Sequence, residues 1–471
     1  MATLSKADYR GLPLRSRVTC PHCWAAFSPD QALWIAQHPD LIGDPRLGPD
    51  EPQRFLPTRF DVAGGAIDAK GFACHELACP RCHLSIPRAM LQMEASFLSI
   101  LGAPACGKTY FLASMTWRMR TSLPRDFALA FADADTSFNH YLNEYESQQF
   151  LSTDPDRPVF LDKTEEQGHL YDTVLFDEQA VNYLRPFVFT LKPLELHPHA
   201  NRAAAVSKVL CLYDNAGESF LPGQDTAARP VTRHLALSDA LLFLFDPTQD
   251  VRFRRACPDM ISDPEMAART QHSDRQETVL QEAAQRVRRY AGLAENAQHK
   301  KPLIVVVTKC DCWLPLLEMP ELPLPFRTLE SGAGAAVRLG QIEQVSAQLR
   351  ALLVRLTPEI VAAAESFAAE VLYIPVSATG CSPTWDAQIG KFCFRPRDLD
   401  PLWVEVPLLC LMSRWMRGLV SFTAAKNAPS VAGDETGGAA AVTPRATPPP
   451  TKAKRVPEQF RDPPHGTEGT S

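Results

Sequence analysis

The chain has 471 residues, 45% hydrophobic and 22% charged, with a formal net charge of −6. That length leaves room for two or three domains, and the mild acidity argues against a nucleic-acid partner. No run approaches the roughly 20 apolar residues of a membrane span, and the charged start lacks an apolar signal region, so a cytoplasmic protein without integral membrane association is expected. Thirteen cysteines, an odd number partly in metal-type spacing, point to reduced thiols rather than disulfides.

Residues 1–90 carry two C-x-x-C knuckles, Cys20-Pro-His-Cys23 and Cys79-Pro-Arg-Cys82. Each brings two thiolates to one metal, and together they complete the tetrahedral sulfur set of structural zinc. Pro21 and Pro80 suit the tight turn inside each knuckle. The spacer from Trp24 to Ala78 is long for a zinc ribbon, so an insertion rich in Pro and Asp, reading as loop, is placed between Pro29 and Arg59. His22, Cys74, His75 and His83 stand close by and read as bystanders. Four protein ligands leave no open position, so the metal is expected to be structural.

Phe97 to Leu101 reads as an apolar strand and Tyr110 to Arg120 as a helix; between them Gly102-Ala-Pro-Ala-Cys-Gly-Lys-Thr109 fits G-x-x-x-x-G-K-[ST]. A chance match in a chain this long has odds on the order of a per cent. In such a strand–loop–helix the backbone N–H groups around Gly102, Ala105, Cys106, Gly107 and Tyr110 face a polyphosphate. Lys108 would bridge the outer phosphates, and the Thr109 hydroxyl would coordinate magnesium. Cys106 itself reads as a packed thiol.

Further along, Thr136 to Leu151 is expected to be helical, and a long polar stretch follows to Arg185. Pro186 to Pro193 reads as a strand, and Ser207 to Tyr213 as a parallel strand buried on both faces. It runs into Asp214-Asn215-Ala216-Gly217-Glu218, where the Asp214 carboxylate would hold magnesium through its water shell and Gly217 would sense a terminal phosphate. Ala240 to Phe245 is the next strand, ending in Asp246-Pro247, and Gln276 to Leu293 is a charged helix. Pro302 to Val307 ends in Thr308-Lys309-Cys310-Asp311, and Glu370 to Val376 ends in Ser377-Ala378-Thr379. Alternating strands and helices with functional residues at the strand ends describe an α/β fold, a doubly wound and mostly parallel sheet.

Asp311 can accept from both the N1–H and the exocyclic amine of guanine, which adenine cannot offer; such polar pairing rejects the wrong partner by roughly 10⁴-fold or more. The stem of Lys309 can lie over the base, and Ser377-Ala378 would bring a backbone N–H to the guanine oxygen. In this order Gly102–Thr109, Asp214–Gly217, Thr308–Asp311 and Ser377–Ala378 resemble the motifs of the translation-factor-related (TRAFAC) class of P-loop GTPases, over roughly Met93 to Phe422. With the zinc ribbon, the chain is similar to the bacterial double-GTPase family of the second type. That resemblance implies GTP/GDP, magnesium and zinc as cofactors, GTP hydrolysis, and a protein partner such as another GTPase-like subunit, in a multi-component conflict or defence system.

Some positions depart from that pattern. Thr308 stands where Asn is commoner, Pro104 removes one N–H from the phosphate loop, and Glu218 replaces a water-orienting Gln. Thr164 is assigned as the switch threonine, with Thr153 and Thr173 as alternatives, and Arg157 or Arg185 could supply an internal arginine finger. The domain at 91–423 thus carries long insertions at about 122–186 and 312–369, with helices expected near Val337–Leu356 and Pro358–Ala369 and a closing helix at Leu408 to Val420. The tail at 424–471, rich in Pro, Ala and Thr, is expected to be disordered. The alternative to a GTP-driven switch is a non-enzymatic adaptor with a structural or slowly turned over nucleotide.

Overall fold

Seven apolar segments form one sheet: β1 (Glu94–Gly102), β2 (Leu129–Asp133), β3 (Phe187–Pro193), β4 (Lys208–Asp214), β5 (Ala240–Phe245), β6 (Leu303–Val307) and β7 (Val371–Pro375), in the spatial order β2-β3-β4-β1-β5-β6-β7. The computed structural model describes residues 13–161, 171–177, 179–215, 233–257, 275–319, 321–329 and 334–423. Thr164, Gly217, Glu218 and the 424–471 tail lie outside these described residues. Strands β4, β1, β5, β6 and β7 run parallel, while β3 is antiparallel to both of its neighbours.

The sequence of the inner strands dictates this arrangement. Runs such as Leu303-Ile-Val-Val-Val307 are apolar at every position because both faces of the strand are covered. Side chains alternate between faces, so Ile304 and Val306 join one core and Leu303, Val305 and Val307 the other. The first core takes in α1 (Lys108–Phe127), through Phe111, Leu112, Met115 and Met119. The second takes in α3 (Gln276–Ala291), through Val279, Leu280, Ala283 and Val287. On the β2 side of α1 stands α2 (His140–Phe150); α4 (Leu339–Leu356) reaches both cores, α5 (Pro358–Phe367) packs on the second, and α6 (Val406–Arg414) on the first.

The register aligns the strand ends. Ile100 is opposite Asp214, Gly102 opposite Leu244, Phe245 opposite Val307 and Val307 opposite Pro375. After β1 the chain fills one side of the sheet, returns as β4, then crosses to β5 on the other. The loop after β1 therefore sits where the strand order reverses, the crevice in which open α/β sheets bind ligands.

Residues 13–90 belong to the same compact unit as the sheet, and their apolar side chains join the first core. Leu77–Ala78 pairs with Ser85–Ile86 on one side and Leu33–Ile35 on the other, and Arg54–Phe55 extends the sheet. The segment from Pro29 to Arg59 is thus not merely loop: besides these strands it holds the pair Ile42–Asp44 and Gly48–Pro52, because the Leu-Trp-Ile run buries Trp34 and Ile35. The polar stretch before Arg185 also contains a hairpin, Tyr171–Phe176 with Gln179–Leu184, anchored by buried Val174 and Tyr183. Edge strand β2 carries only a short alternating pattern, LAFAD, too weak to stand out in sequence. The closing helix stops at Arg414, and the chain turns into a two-residue strand, Ser421–Phe422.

Candidate functional site

At the end of β1 the chain must turn sharply into α1. Gly102 is required there because a Cβ would lie 2.7 Å from the Leu244 carbonyl oxygen and 2.8 Å from Cys106 Sγ. Gly107 caps α1 with φ of +89°, a left-handed conformation that favours glycine. Within the turn the Lys108 ammonium donates to the carbonyls of Gly102 at 3.1 Å and Ala103 at 2.9 Å, with Cys106 Sγ at 3.9 Å. Lys108 is 7% exposed, and among the described residues no carboxylate lies within ion-pair distance of it. The ammonium is thus held directly by neutral carbonyls alone among the described residues.

Four charged groups converge on this loop. Burial pushes the Cys106 thiol up, opposed by Lys108 and Lys309 and reinforced by Asp246 and Asp214. Asp214 is buried at the tip of β4, and Asn215 beside it donates through Nδ2 to the Ile100 carbonyl at 2.8 Å, locking that tip to β1. In the sequence Asp246 reads only as a strand end. Its carboxylate accepts from Thr248 N at 2.9 Å, Thr248 Oγ1 at 2.6 Å and Gln249 Nε2 at 3.2 Å, and pairs with Lys309 Nζ at 3.2 Å. Gln249 also donates to the Pro104 carbonyl at 3.3 Å, so the β5 loop braces the loop after β1. The signal for these residues was the Asp-Pro at the end of an apolar strand, followed by two polar side chains.

The β6 and β7 loops meet beside this cluster. Thr308 donates through N and Oγ1 to the Phe245 carbonyl, at 2.9 and 3.2 Å, tying β6 to β5. Lys309 adopts φ of +55°, which turns its ammonium toward Asp246 and Thr248. Cys310 N–H donates to the Val376 carbonyl, and Asp311 lies by Cys381, whose thiol is raised to about 11 by burial and then by Asp311. Asp311 Oδ2 accepts from Cys312 Sγ at 3.4 Å, while buried Oδ1 has no hydrogen-bond partner among the described residues. Ser377 N–H is taken by the Leu402 carbonyl, so Ala378 remains the backbone candidate in that loop. The Ala378 carbonyl accepts from Ser114 Oγ of α1 at 2.7 Å.

Thr109 is half-buried in the first turn of α1. Tyr110, next in line, acts as a strut: its phenol oxygen accepts from Leu161 N–H at 2.9 Å and its ring meets Phe394 edge-on at 5.3 Å. Val159 and Phe394 exchange backbone hydrogen bonds, so residues 159–161 are held beside the start of α1. Arg185 instead makes a two-pronged pair with Asp172, lining a cavity of about 390 Å³ under the first knuckle with His22 and Arg54.

The four knuckle cysteines are buried, and their sulfurs lie within 4.8 Å of one another. Cys20 and Cys82 stand 3.7 Å apart, as do Cys23 and Cys79, matching the roughly 3.8 Å edge of a tetrahedron with 2.3 Å zinc–sulfur bonds. His22 N–H and Arg81 N–H each donate to the first sulfur of their knuckle at 3.4 Å, and the residue after each second cysteine, Trp24 and His83, is left-handed at φ of 61° and 62°. Burial raises the Cys20 and Cys82 thiols, whereas hydrogen bonds from neighbouring thiols pull Cys79 and Cys23 down. His22 faces the Ser85 carbonyl, His83 faces Asp44 and Cys74 lies by Asp68, so none of these three joins the set. The donor set fits zinc.

No helix among the described residues is long and apolar enough to cross a membrane. No protein-family model matches the chain. It is 23% identical over 259 residues to SaeC of Mycolicibacterium smegmatis, described as a candidate ESX-1 scaffolding and assembly protein. The alignment covers 51% of this chain and 60% of the relative, so the chain spans about three-fifths of that protein's length.

Proposed function

We propose that the protein is a guanine-nucleotide switch that binds and hydrolyses Mg-GTP to regulate a protein partner. The observation that carries this reading is the buried Lys108 ammonium, held by loop carbonyls and lacking a carboxylate partner among the described residues, at the end of β1. A terminal phosphate would give that ammonium a direct anionic partner and would supply a Mg²⁺ ligand. Thr109 and Asp214 are the residues to hold magnesium, and the Ala105, Cys106 and Gly107 backbone to hold phosphate. Guanine is favoured because a buried, unpartnered Asp311 Oδ1 wants donors, which the guanine edge offers in pairs. Hydrolysis would rest on Lys108 with Gly217, Glu218 and Thr164, in a cytoplasmic protein that carries one structural zinc on Cys20, Cys23, Cys79 and Cys82.

Fluorescent GTP and ATP analogues titrated into the full chain with magnesium test this reading. GTP binding in preference to ATP, lost in Lys108→Ala, is expected; equal affinity for both, or none for either, refutes it. Phosphate release that persists in Lys108→Ala would assign turnover to a contaminant.

A second reading, a scaffold with little or no turnover, is favoured by the N-terminal module. There Ile42, Leu56, Phe60, Val62 and Phe72 are all at least half exposed, an apolar set of the kind that meets a protein partner. The name of the mycobacterial relative points the same way. Rapid multiple-turnover phosphate release would exclude it.

A further inference from the structure

The two knuckles share a backbone but face different ways. In the second, left-handed His83 turns back into its own module and pairs with Asp44, Nδ1 to Oδ2 at 2.8 Å. In the first, left-handed Trp24 leaves the module and lays its indole against the main sheet. Its ring is 4.6 Å from Phe97 of β1, 5.3 Å from Tyr213 of β4, and 6.4 Å from His234, to which it is nearly parallel at 20°. Tyr213 is also bonded to the knuckle itself, its buried O–H donating at 2.5 Å to the carbonyl of Pro21, the residue after Cys20.

Tyr213 immediately precedes Asp214, and Phe97 lies on the strand that feeds the Lys108 loop. The first knuckle therefore grips the two adjacent strands whose tips make the candidate site. A knuckle holds its turn only while its thiolates share a metal, since otherwise four buried sulfurs of like charge must part or take up protons. We infer that Trp24 and Pro21 make the four-cysteine metal a positioning element for the β1 and β4 tips, so that metal occupancy governs the order of Asp214 and, through it, nucleotide affinity. The last clause rests on the nucleotide reading above; the mechanical coupling does not.

Hydrogen exchange separates the two. It would be followed by mass spectrometry on the full chain, zinc-loaded and zinc-stripped, and on zinc-loaded Trp24→Ala and Trp24→Phe, with peptides covering 97–107 and 209–215 as reporters and peptides in β6 and α4 as controls. Faster exchange in the reporters alone is expected on stripping and in Trp24→Ala, with protection restored in Trp24→Phe at one zinc per chain. In the stripped chain and in Trp24→Ala, but not in Trp24→Phe, Mg-GTP affinity is expected to fall at least about 10-fold. Unchanged reporter exchange overturns the coupling, and so does equal loss in the controls, which would mean general unfolding. Reporter loss with no nucleotide bound by the zinc-loaded chain would retain the coupling and refute the nucleotide reading. Trp24→Phe at wild-type protection but with Trp24→Ala also at wild type would again overturn it.

Discussion

Asp246→Asn removes the charge that braces the loop after β1. The carboxylate is fully buried; Oδ1 accepts twice from Thr248, and Oδ2 receives Gln249 Nε2 and Lys309 Nζ, both at 3.2 Å. An asparagine can keep the Thr248 bonds, but its amide nitrogen then faces two donors. Breaking a buried ion pair from one side costs about 3–5 kcal/mol. The Lys309 side chain is 23% exposed and regains some hydration, which places the expected loss near the lower figure, about 3 kcal/mol. Urea unfolding of the purified chain should show a lower midpoint at unchanged m. The decisive measurement is the double-mutant cycle with Lys309→Met, in which the pair should cost about 1–2 kcal/mol less than the sum of the singles. Additivity within about 0.5 kcal/mol, or a neutral Asp246→Asn, would refute the claim that this pair braces the site.

Three further outcomes follow from the same geometry. Purified protein should carry one zinc per chain by elemental analysis, and Cys79→Ser should retain less than one after dialysis against chelator, full retention pointing to another donor set. Burial lowers His234 to about 3, so the folded chain holds it neutral while the unfolded chain takes up a proton below about 6.5; stability should therefore drop as pH falls through that window, by up to about 2 kcal/mol between pH 6.5 and 5, and His234→Phe should flatten the slope. A slope unchanged in that variant would place the proton uptake elsewhere. Asp311→Ala should weaken GTP by at least about 100-fold, as hydrogen bonds to a charged group contribute roughly 1.5–3 kcal/mol each, and leave ATP binding as it was; parallel losses for both nucleotides would show that Asp311 does not read the base.

What was legible in the sequence is what local chemistry dictates. The runs Ala240–Phe245 and Leu303–Val307 are apolar throughout, so their strands stand out with ends fixed by Asp246 and Thr308. The two cysteine pairs met as their spacing required. What escaped depended on distant partners. Strand β2 is stable only as the neighbour of β3, and the Tyr171–Phe176 hairpin only through its buried Val174 and Tyr183. The orientation of Lys309 also escaped, since a left-handed φ at a lysine follows from Asp246, which is 63 residues away in the sequence. The grip of Trp24 on β1 and β4 had no local signal: a tryptophan after a cysteine reads the same whichever way the knuckle faces.

The order of strands in the sheet also bears on how the chain is made. β1 is the first sheet strand to leave the ribosome, yet its two neighbours, β4 and β5, begin only at Lys208 and Ala240. For that interval the central strand of the sheet has no partner on either edge, the condition under which nascent chains aggregate. The cysteine knuckles are complete before β1 is, and Trp24 already has Phe97 to cover. A metal-bound N-terminal module can thus serve the growing chain as a built-in shield for its central strand, long before there is a site for it to support.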